Sequence, residues 1–371
     1  MDDNFISEIK NTWQNKLDMW IYFKKLFFIS LIFILGGCDF MTVNYNYHVE
    51  VGHPIEYQAI FDWNNSYLYD TYKQPLLDFG GEIGSGSDWG NGTQITSLFY
   101  EGPIPSGIKV RWFSVMEDQF WEGEYKFNFS QLTALHHDKV WKTLYQEFSD
   151  PMKNGVSYTV YVVPGGLVTI WMNTSANKIL LGQFQAKKID IPWEDFASSL
   201  LIEMNRENFI QMHLTSINTP EYVRQEAKNN KLPSFVRWKR LMKTYSWKLK
   251  GSSNFILKDY FTRYVNGEQY YTYQGDLQQS ERAVPHFFYV YLEDKFGKIT
   301  RLGITLDKEE IIAAFEKLNS KYSMNTEFTI LIDETDDLQY TRIYLIVGED
   351  KVSINADCSL EDLYIGRANK G

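Results

Sequence analysis

The chain has 371 residues, with 37 Lys and Arg against 47 Asp and Glu, a formal net charge of −10. That balance excludes nucleic acid as a partner, because a phosphate backbone demands a basic face, and it permits a basic protein drawn in by complementary charge. Two cysteines exclude a disulfide scaffold, and the length suits two domains with a connector better than one core.

Residues 1–38 read as a lipoprotein signal peptide. Lys24 and Lys25 supply a positive start and residues 26–35 (LFFISLIFIL) an apolar core. Leu35-Gly36-Gly37-Cys38 then resembles a bacterial lipobox, its glycines leaving a peptidase room to reach Cys38. The apolar run is too short to span a bilayer, which takes roughly 20 residues. The lipobox implies a mature chain that begins at Cys38 and carries acyl chains there. Such a chain hangs from the inner or outer membrane, facing the periplasm or the cell surface. At about 0.8 kcal/mol per buried methylene, two or more acyl chains make that anchor almost permanent. Two starts fit the leader: Met1 with a long polar n-region, or Met19, just ahead of the two lysines. Residues 1–38 hold equal numbers of acidic and basic groups, so the mature protein stays at −10. With Cys38 acylated, Cys358 has no disulfide partner within the chain and is either a buried small hydrophobe, the expected case, or a lone thiol near the end.

Residues 39–195 form the first expected domain. From residue 45 onward, short runs of Val, Ile, Tyr, Phe and Trp are punctuated by Gly, Pro and Asn, the mark of strands. Tyr125, Phe127 and Phe129 alternate with Lys126 and Asn128 as in a half-buried strand. Residues 108–115, 158–163 and 167–172 read likewise, with Pro164-Gly165-Gly166 turning between the last two. One helix interrupts them. Ser130 is its expected N-cap, and Leu132, Leu135, Trp141, Leu144, Tyr145 and Phe148 follow at helical spacing before Pro151.

Residues 196–244 change to helical spacing and form a basic connector, in which Thr219-Pro220-Glu221 reads as an N-cap with proline at the first helical position. From residue 221 to 250, nine basic residues (Arg224, Lys228, Lys231, Arg237, Lys239, Arg240, Lys243, Lys248, Lys250) stand against Glu221 and Glu226. This island suits anionic lipid headgroups, acidic residues of the other domain, or solvent.

Residues 245–371 return to strands and repeat an earlier series. Strand 287–292, the turn Glu293-Asp294-Lys295-Phe296, strand 298–305 and a helix parallel strand 109–116, the turn Glu117-Asp118-Gln119-Phe120, strand 124–129 and the first helix. In the second series Asp307 and Glu310 make a capping box ahead of Ile311, Ile312, Phe315 and Leu318. A hairpin, 327–333 with 340–347, turns at residues 348–351 into 352–355. The expected fold is α+β: two related units of antiparallel sheet with a packed helix, joined by a helical connector.

These residues carry a family resemblance. Glu101-Gly102-Pro103, the run from Lys109 through Trp112 to Ser114, and Glu117, Phe120, Gly123 and Phe127 resemble the core pattern of the bacterial lipoproteins grouped as domain of unknown function 2931. The stretch 84–92 (GSGSDWGNG), the stretch 162–171 (VVPGGLVTIW) and the lipobox also fit. The similarity covers roughly residues 45–195, and the second half is similar to longer members more loosely. The resemblance implies class and location, with no catalytic residues to carry over. Some lipoproteins of this general kind act as immunity proteins beside secreted lipase toxins, a lead by analogy.

Catalytic signals are weak. No Gly-x-Ser-x-Gly elbow is present. The glycine-rich run 80–92 carries Glu82 and Asp88, which repel phosphate, lacks the Gly-Lys-Ser/Thr ending, and contains the turn signal Asn91-Gly92. His136 and His137 are adjacent, about 100° apart on a helix, without the spacing of a zinc pair. His48, His53, His213 and His286 are scattered. Glu117 and Asp118, as neighbours, make a poor glycosidase pair. The cluster Asp333-Glu334-Thr335-Asp336-Asp337 lacks the bend glycine of a calcium loop. No metal or cofactor is implied. Most of the nine tryptophans after Cys38 fill the core. Trp89 in the glycine-rich loop and Trp121 beside the first Glu-Asp-x-Phe turn are the candidate exposed binding aromatics.

The expectation is a membrane-anchored, non-catalytic binding lipoprotein whose partner is another protein, with immunity against a secreted toxin as the sharpest version. The alternatives are a surface glycan-binding lipoprotein using Trp89 and Trp121, and a hydrolase with an unrecognised site.

Overall fold

Tyr45, Tyr47, Val49 and Val51 are buried and the residues between them half-buried, so strand β1 (Tyr45–Gly52) shows the two-residue period on which the whole chain is built. The computed structural model describes residues 44–81, 86–92, 94–95, 99–137, 155–174, 177–231, 235–251, 255–272, 279–322, 326–334 and 341–362. The leader with Leu35, Gly36, Gly37 and Cys38 lies outside the described residues, as do residues 138–154, in which the first helix was expected to continue, and 335–340. Among the described residues no helix is long and apolar enough to cross a membrane.

The fold is mixed α+β and mostly sheet. Its first half runs β1, β2 (Ala59–Phe61), β3 (Tyr67–Tyr69), β4 (Pro75–Asp78), β5 (Gln94–Ile95), β6 (Tyr100–Gly102), β7 (Gly107–Ser114), β8 (Gln119–Lys126), α1 (Phe129–His137), β9 (Val156–Val163), β10 (Leu167–Asn173), β11 (Lys178–Gln185) and β12 (Lys187–Ile189). Four helices follow: α2 (Trp193–Ser199), α3 (Arg206–Leu214), α4 (Glu221–Lys228) and α5 (Val236–Leu241). The second half runs β13 (Thr244–Gly251), β14 (Ile256–Tyr264), β15 (Gln269–Thr272), β16 (Ser280–Ala283), β17 (Pro285–Glu293), β18 (Ile299–Leu306), α6 (Lys308–Lys321), β19 (Phe328–Glu334), β20 (Thr341–Val347), β21 (Asp350–Ile354) and β22 (Ala356–Asp362).

Three sheets result. An eleven-stranded sheet takes strands from both halves in the order β22-β18-β17-β14-β15-β11-β10-β9-β1-β5, with β6 also paired to β1. β12-β8-β7-β3-β4, with β2 on β7, forms the second, and β16-β13-β19-β20-β21 the third. In the first half Tyr47, Val49, Tyr158, Val160 and Ile170 bury against Ile108, Val110 and Trp112 of β7. In the second, Trp247, Val290, Ile304, Ile330 and Leu345 share a core with Ile311, Phe315 and Leu318 of α6. The connector helices cover outer sheet faces: Trp193, Phe196 and Phe209 lie on Phe113 and Phe120, and Val223 and Trp238 join Tyr161, Leu167 and Trp171.

Several local expectations are corrected. The sheets are not purely antiparallel, since β1 pairs with β9 and β13 with β19 in parallel. Between these partners the chain leaves to build the opposing sheet, which supplies the long crossover that parallel pairing requires. The alternation at residues 125–129 ends early: Phe127 is buried, whereas Phe129 opens α1 and is exposed. Asn128, rather than Ser130, caps that helix, accepting from the backbone N–H of Gln131. The Thr219 hydroxyl turns back to donate to His213 O, leaving Pro220 at the N-cap of α4. Asp307 caps α6 through the N–H of Glu310 at 2.8 Å. The Glu310 carboxylate accepts from the Asn355 N–H, in the turn between β21 and β22, while the Asp307 N–H donates to Asn355 O, so the reciprocal half of the expected capping box is replaced by a tie to that turn. Cys358 is exposed rather than buried, because β22 closes its sheet as an edge strand.

Candidate functional site

Stretches far apart in sequence meet in a cleft of about 680 Å³ where the two halves and the connector join. The glycine-rich loop forms one wall. Gly86 and Gly90 adopt left-handed backbone, with φ of 73° and 83°, conformations that favour glycine. A Cβ on Gly90 would lie 2.8 Å from the Cα of Gly267, so two glycines let the loop of one half touch the β14–β15 turn of the other. The loop lays Trp89 edge-on against Tyr161 and Trp171, at centroid distances of 5.2 and 5.5 Å. Trp89 is half-buried, and its buried indole N–H has no hydrogen-bond partner among the described residues. The Tyr161 hydroxyl holds the loop by donating to Ser87 O at 2.6 Å. Beneath it the buried Lys178 donates to Gly90 O and lies 5.6 Å from the Trp171 ring. Burial pushes Lys178 down to about 8, with Glu50 pulling the other way.

The opposite wall is basic. Arg237 comes from α5, Arg263 from the end of β14, His286 from β17, and Lys308 from the start of α6. Lys308 lies 3.7 Å from Asp88. Burial, then the charges of Lys308 and Arg263, push His286 down to about 4, with Asp88 opposing, so its imidazole is neutral at physiological pH. The basic island of the connector is partly neutralised here: Arg240 reaches Glu309 and Glu316 at 2.9 Å each, and Lys243 reaches Glu316 at 2.9 Å. Of the three destinations open to that island, acidic residues of the second half account for these two members.

A polar cluster lies beside the cleft on β1, β9 and β10. Glu50 Oε1 is 3.3 Å from His48 Nε2, Glu50 Oε2 accepts from the Thr159 hydroxyl at 3.2 Å, and Asn173 donates to Ser157 and Thr159 at 2.7 and 2.8 Å. Burial raises the Glu50 carboxyl, but the bonds from His48, Ser157 and Thr159 outweigh it and hold it below the ordinary value. The carboxylate thus sits between imidazole and hydroxyls. A nucleophilic serine needs the reverse order, imidazole next to its oxygen.

The two candidate tryptophans separate. Trp89 lines the cleft. Trp121 is only 5% exposed, lies parallel to Trp112 at 6.3 Å, and donates from its indole to Glu117 at 3.2 Å. The expectation that it is exposed is corrected: β8 begins at Gln119 and its pleat turns Trp121 into the core. Glu117 also accepts from the Gly165 N–H at 2.9 Å, tying the first Glu-Asp-x-Phe turn to the Pro-Gly-Gly turn. Asp118 takes Arg206 at 2.5 Å. His136 is buried with Nε2 at 2.8 Å from the Tyr158 hydroxyl. Among the described residues no group of three or more His, Cys, Asp or Glu is placed to hold a metal ion.

A second surface lies on α2 and α3, where Ile60, Leu200, Leu201, Ile202, Phe209 and Met212 line a groove of about 470 Å³. Leu201 is 90% and Met212 46% exposed, and Glu194, Asp195, Glu203 and Glu207 are exposed on the same helices and the link between them.

A family model described as "Protein of unknown function (DUF2931)" matches residues 6–230. The chain belongs to this family. The match runs wider than the 45–195 span expected from motifs, taking in the leader and the connector through α4. The family motifs of this DUF2931 protein fall on structural joints, such as Glu117 with Gly165, and on the loop that carries Trp89. The basic wall of the cleft, from Arg237 onward, lies beyond the match. No curated protein and no solved structure matches the chain. Lys178, Arg263 and Lys308 carried no signal in sequence, because only the sheet pairing brings them to one place.

Proposed function

We propose that this protein is a lipid-anchored lipoprotein of the cell envelope that binds another protein and performs no catalysis, with immunity against a secreted toxin as its sharpest version. The observation that carries this reading is the α2–α3 surface, where Leu201 and Met212 stand exposed at an apolar groove in a chain of net charge −10. Exposed apolar groups gathered at a groove mark a docking face, and the net negative charge of the chain favours a basic partner. The anchor rests on Leu35-Gly36-Gly37-Cys38. The test uses the full chain as bait against envelope and secreted proteins. One stoichiometric basic partner, lost with Leu201→Asp and kept with Trp89→Ala, is expected; equal capture by the Leu201→Asp chain would sink the assignment of the face. Unchanged toxin sensitivity in a deletion strain would remove the immunity version.

A second reading, surface glycan binding, is favoured by one observation: Trp89 lines a polar cleft. It predicts loss of sugar affinity in Trp89→Ala.

We also infer that the two halves are related by duplication, as domains 39–195 and 245–371 around the connector. The parallel pair β1–β9 leading into β10 and β11 corresponds to β13–β19 leading into β20 and β21. The run β12-β8-β7-β3 corresponds to β22-β18-β17-β14. α1 and α6 occupy the same place in the two series, and both Glu-Asp-x-Phe turns close corresponding hairpins, β7–β8 and β17–β18.

A further inference from the structure

In a chain of net charge −10, the cleft gathers cations that its own carboxylates leave unpaired. Its carboxylates are already engaged. Glu268 accepts from the Leu180 N–H, the Asn266 amide and the Tyr270 hydroxyl at 3.1, 2.7 and 2.8 Å. Glu309 is taken by Arg240, Asp88 faces Lys308, and Glu56 is hydrogen-bonded to the Tyr222 hydroxyl. Arg237 and Arg263 are exposed and form no ion pair among the described residues. They meet only rings, Arg237 at 5.8 Å from Trp238 and Arg263 at 5.1 Å from Phe287. A guanidinium presents paired donors matched to a carboxylate or phosphate. His286, held neutral by burial and by the charges of Lys308 and Arg263, adds hydrogen-bonding capacity without adding charge. Trp89 offers the cleft a half-buried aromatic ring, an apolar surface that suits a sugar ring. The volume, about 680 Å³, is that of a site for a small ligand of one or a few rings.

We propose that the cleft binds an anionic saccharide, whose carboxylate or phosphate is taken by Arg237 and Arg263 and whose ring lies at Trp89. This rests on the glycan reading above and sharpens it to a charged sugar.

The test is calorimetric titration of the full chain in detergent with four probes: glucuronyl-N-acetylglucosamine, N-acetylglucosamine 6-phosphate, neutral chitobiose, and inorganic phosphate. An anionic sugar is expected to bind, to quench tryptophan fluorescence, and to weaken with added salt. Arg237→Ala and Arg263→Ala should each weaken it roughly tenfold or more, the cost of one charge-assisted contact. Both side chains are exposed, so an unchanged thermal midpoint verifies that the variants are folded. Chitobiose binding as tightly as the anionic sugars would overturn the charged-sugar proposal while leaving the glycan reading in place. Inorganic phosphate binding as tightly would overturn the saccharide. Binding of none of the four would overturn the proposal and the glycan reading together, and undiminished binding in both arginine variants would overturn the assignment of the site.

Discussion

Lys178 sits where its charge is least at home, buried under the glycine-rich loop with a carbonyl and an indole face for company. Its depression to about 8 from the ordinary lysine value of about 10.4 is on the order of 3 kcal/mol against the charged form. The unfolded chain therefore binds more protons than the folded one between these values, so this group makes stability rise with pH across that window. Urea unfolding at steps from pH 8 to 10 should show that rise in the wild type relative to Lys178→Met, in which the group is gone; parallel pH profiles for the two would refute it. His286 acts in the acid range with the same sign. Held down to about 4, it makes stability fall as pH drops from about 6.5 through 4, a loss that His286→Gln should lack. The tryptophans make a third prediction. Trp121→Ala removes a buried ring, with an expected loss of about 3–5 kcal/mol in denaturant unfolding. Trp89→Ala, at the half-buried loop position, should cost much less stability. In sequence both looked alike as aromatics beside turns; what separates them is that β8 starts two residues before Trp121.

Elements were the most legible scale. The strands of the first core and the Pro164-Gly165-Gly166 turn are read from local alternation and turn chemistry, because side-chain period and backbone freedom depend only on near neighbours. Caps were read less well, since Ser130 and Thr219 each have a neighbour, Asn128 or Pro220, that takes the position instead. Asp307 was legible because an acid three residues ahead of Glu310 and an apolar run has one strong local use. Asp307→Ala should lower stability by about 1 kcal/mol, read as a lower thermal midpoint with the second-half core otherwise intact. Parallel pairing was illegible: the partner of β1 lies about a hundred residues downstream, past most of the second sheet, and no local pattern names it.

Across the whole molecule the two halves meet on a narrow seam. β11 and β15 pair at Lys178 with Gln269, the Asn177 side chain accepts from the Tyr271 N–H at 3.0 Å, and Gly90 meets Gly267. Residues 45–371 nevertheless form one compact unit, because the seam completes a single sheet and the connector packs over it. Gly267→Val puts a branched side chain on a left-handed residue, φ 85°, against the backbone of Gly90. The expected loss is about 1–3 kcal/mol, with a change in Trp89 fluorescence as the loop lifts; an unchanged emission spectrum would show that the seam does not position the loop.

The sequence by itself determined the acidic balance, the lipobox resemblance, the family, the sheet-rich α+β class and the helical character of residues 193–241, because each is written in composition or in neighbours a few residues apart. Only the tertiary structure decided that Trp121 belongs to the core, that Cys358 is exposed on an edge strand, and that Trp89, Arg237 and Arg263 share one cleft. The contacts that build this cleft join residues such as Lys178 with Gly90 and Leu180 with Glu268, each pair 88 positions apart, and strand pairing over such distances depends on how whole sheets close.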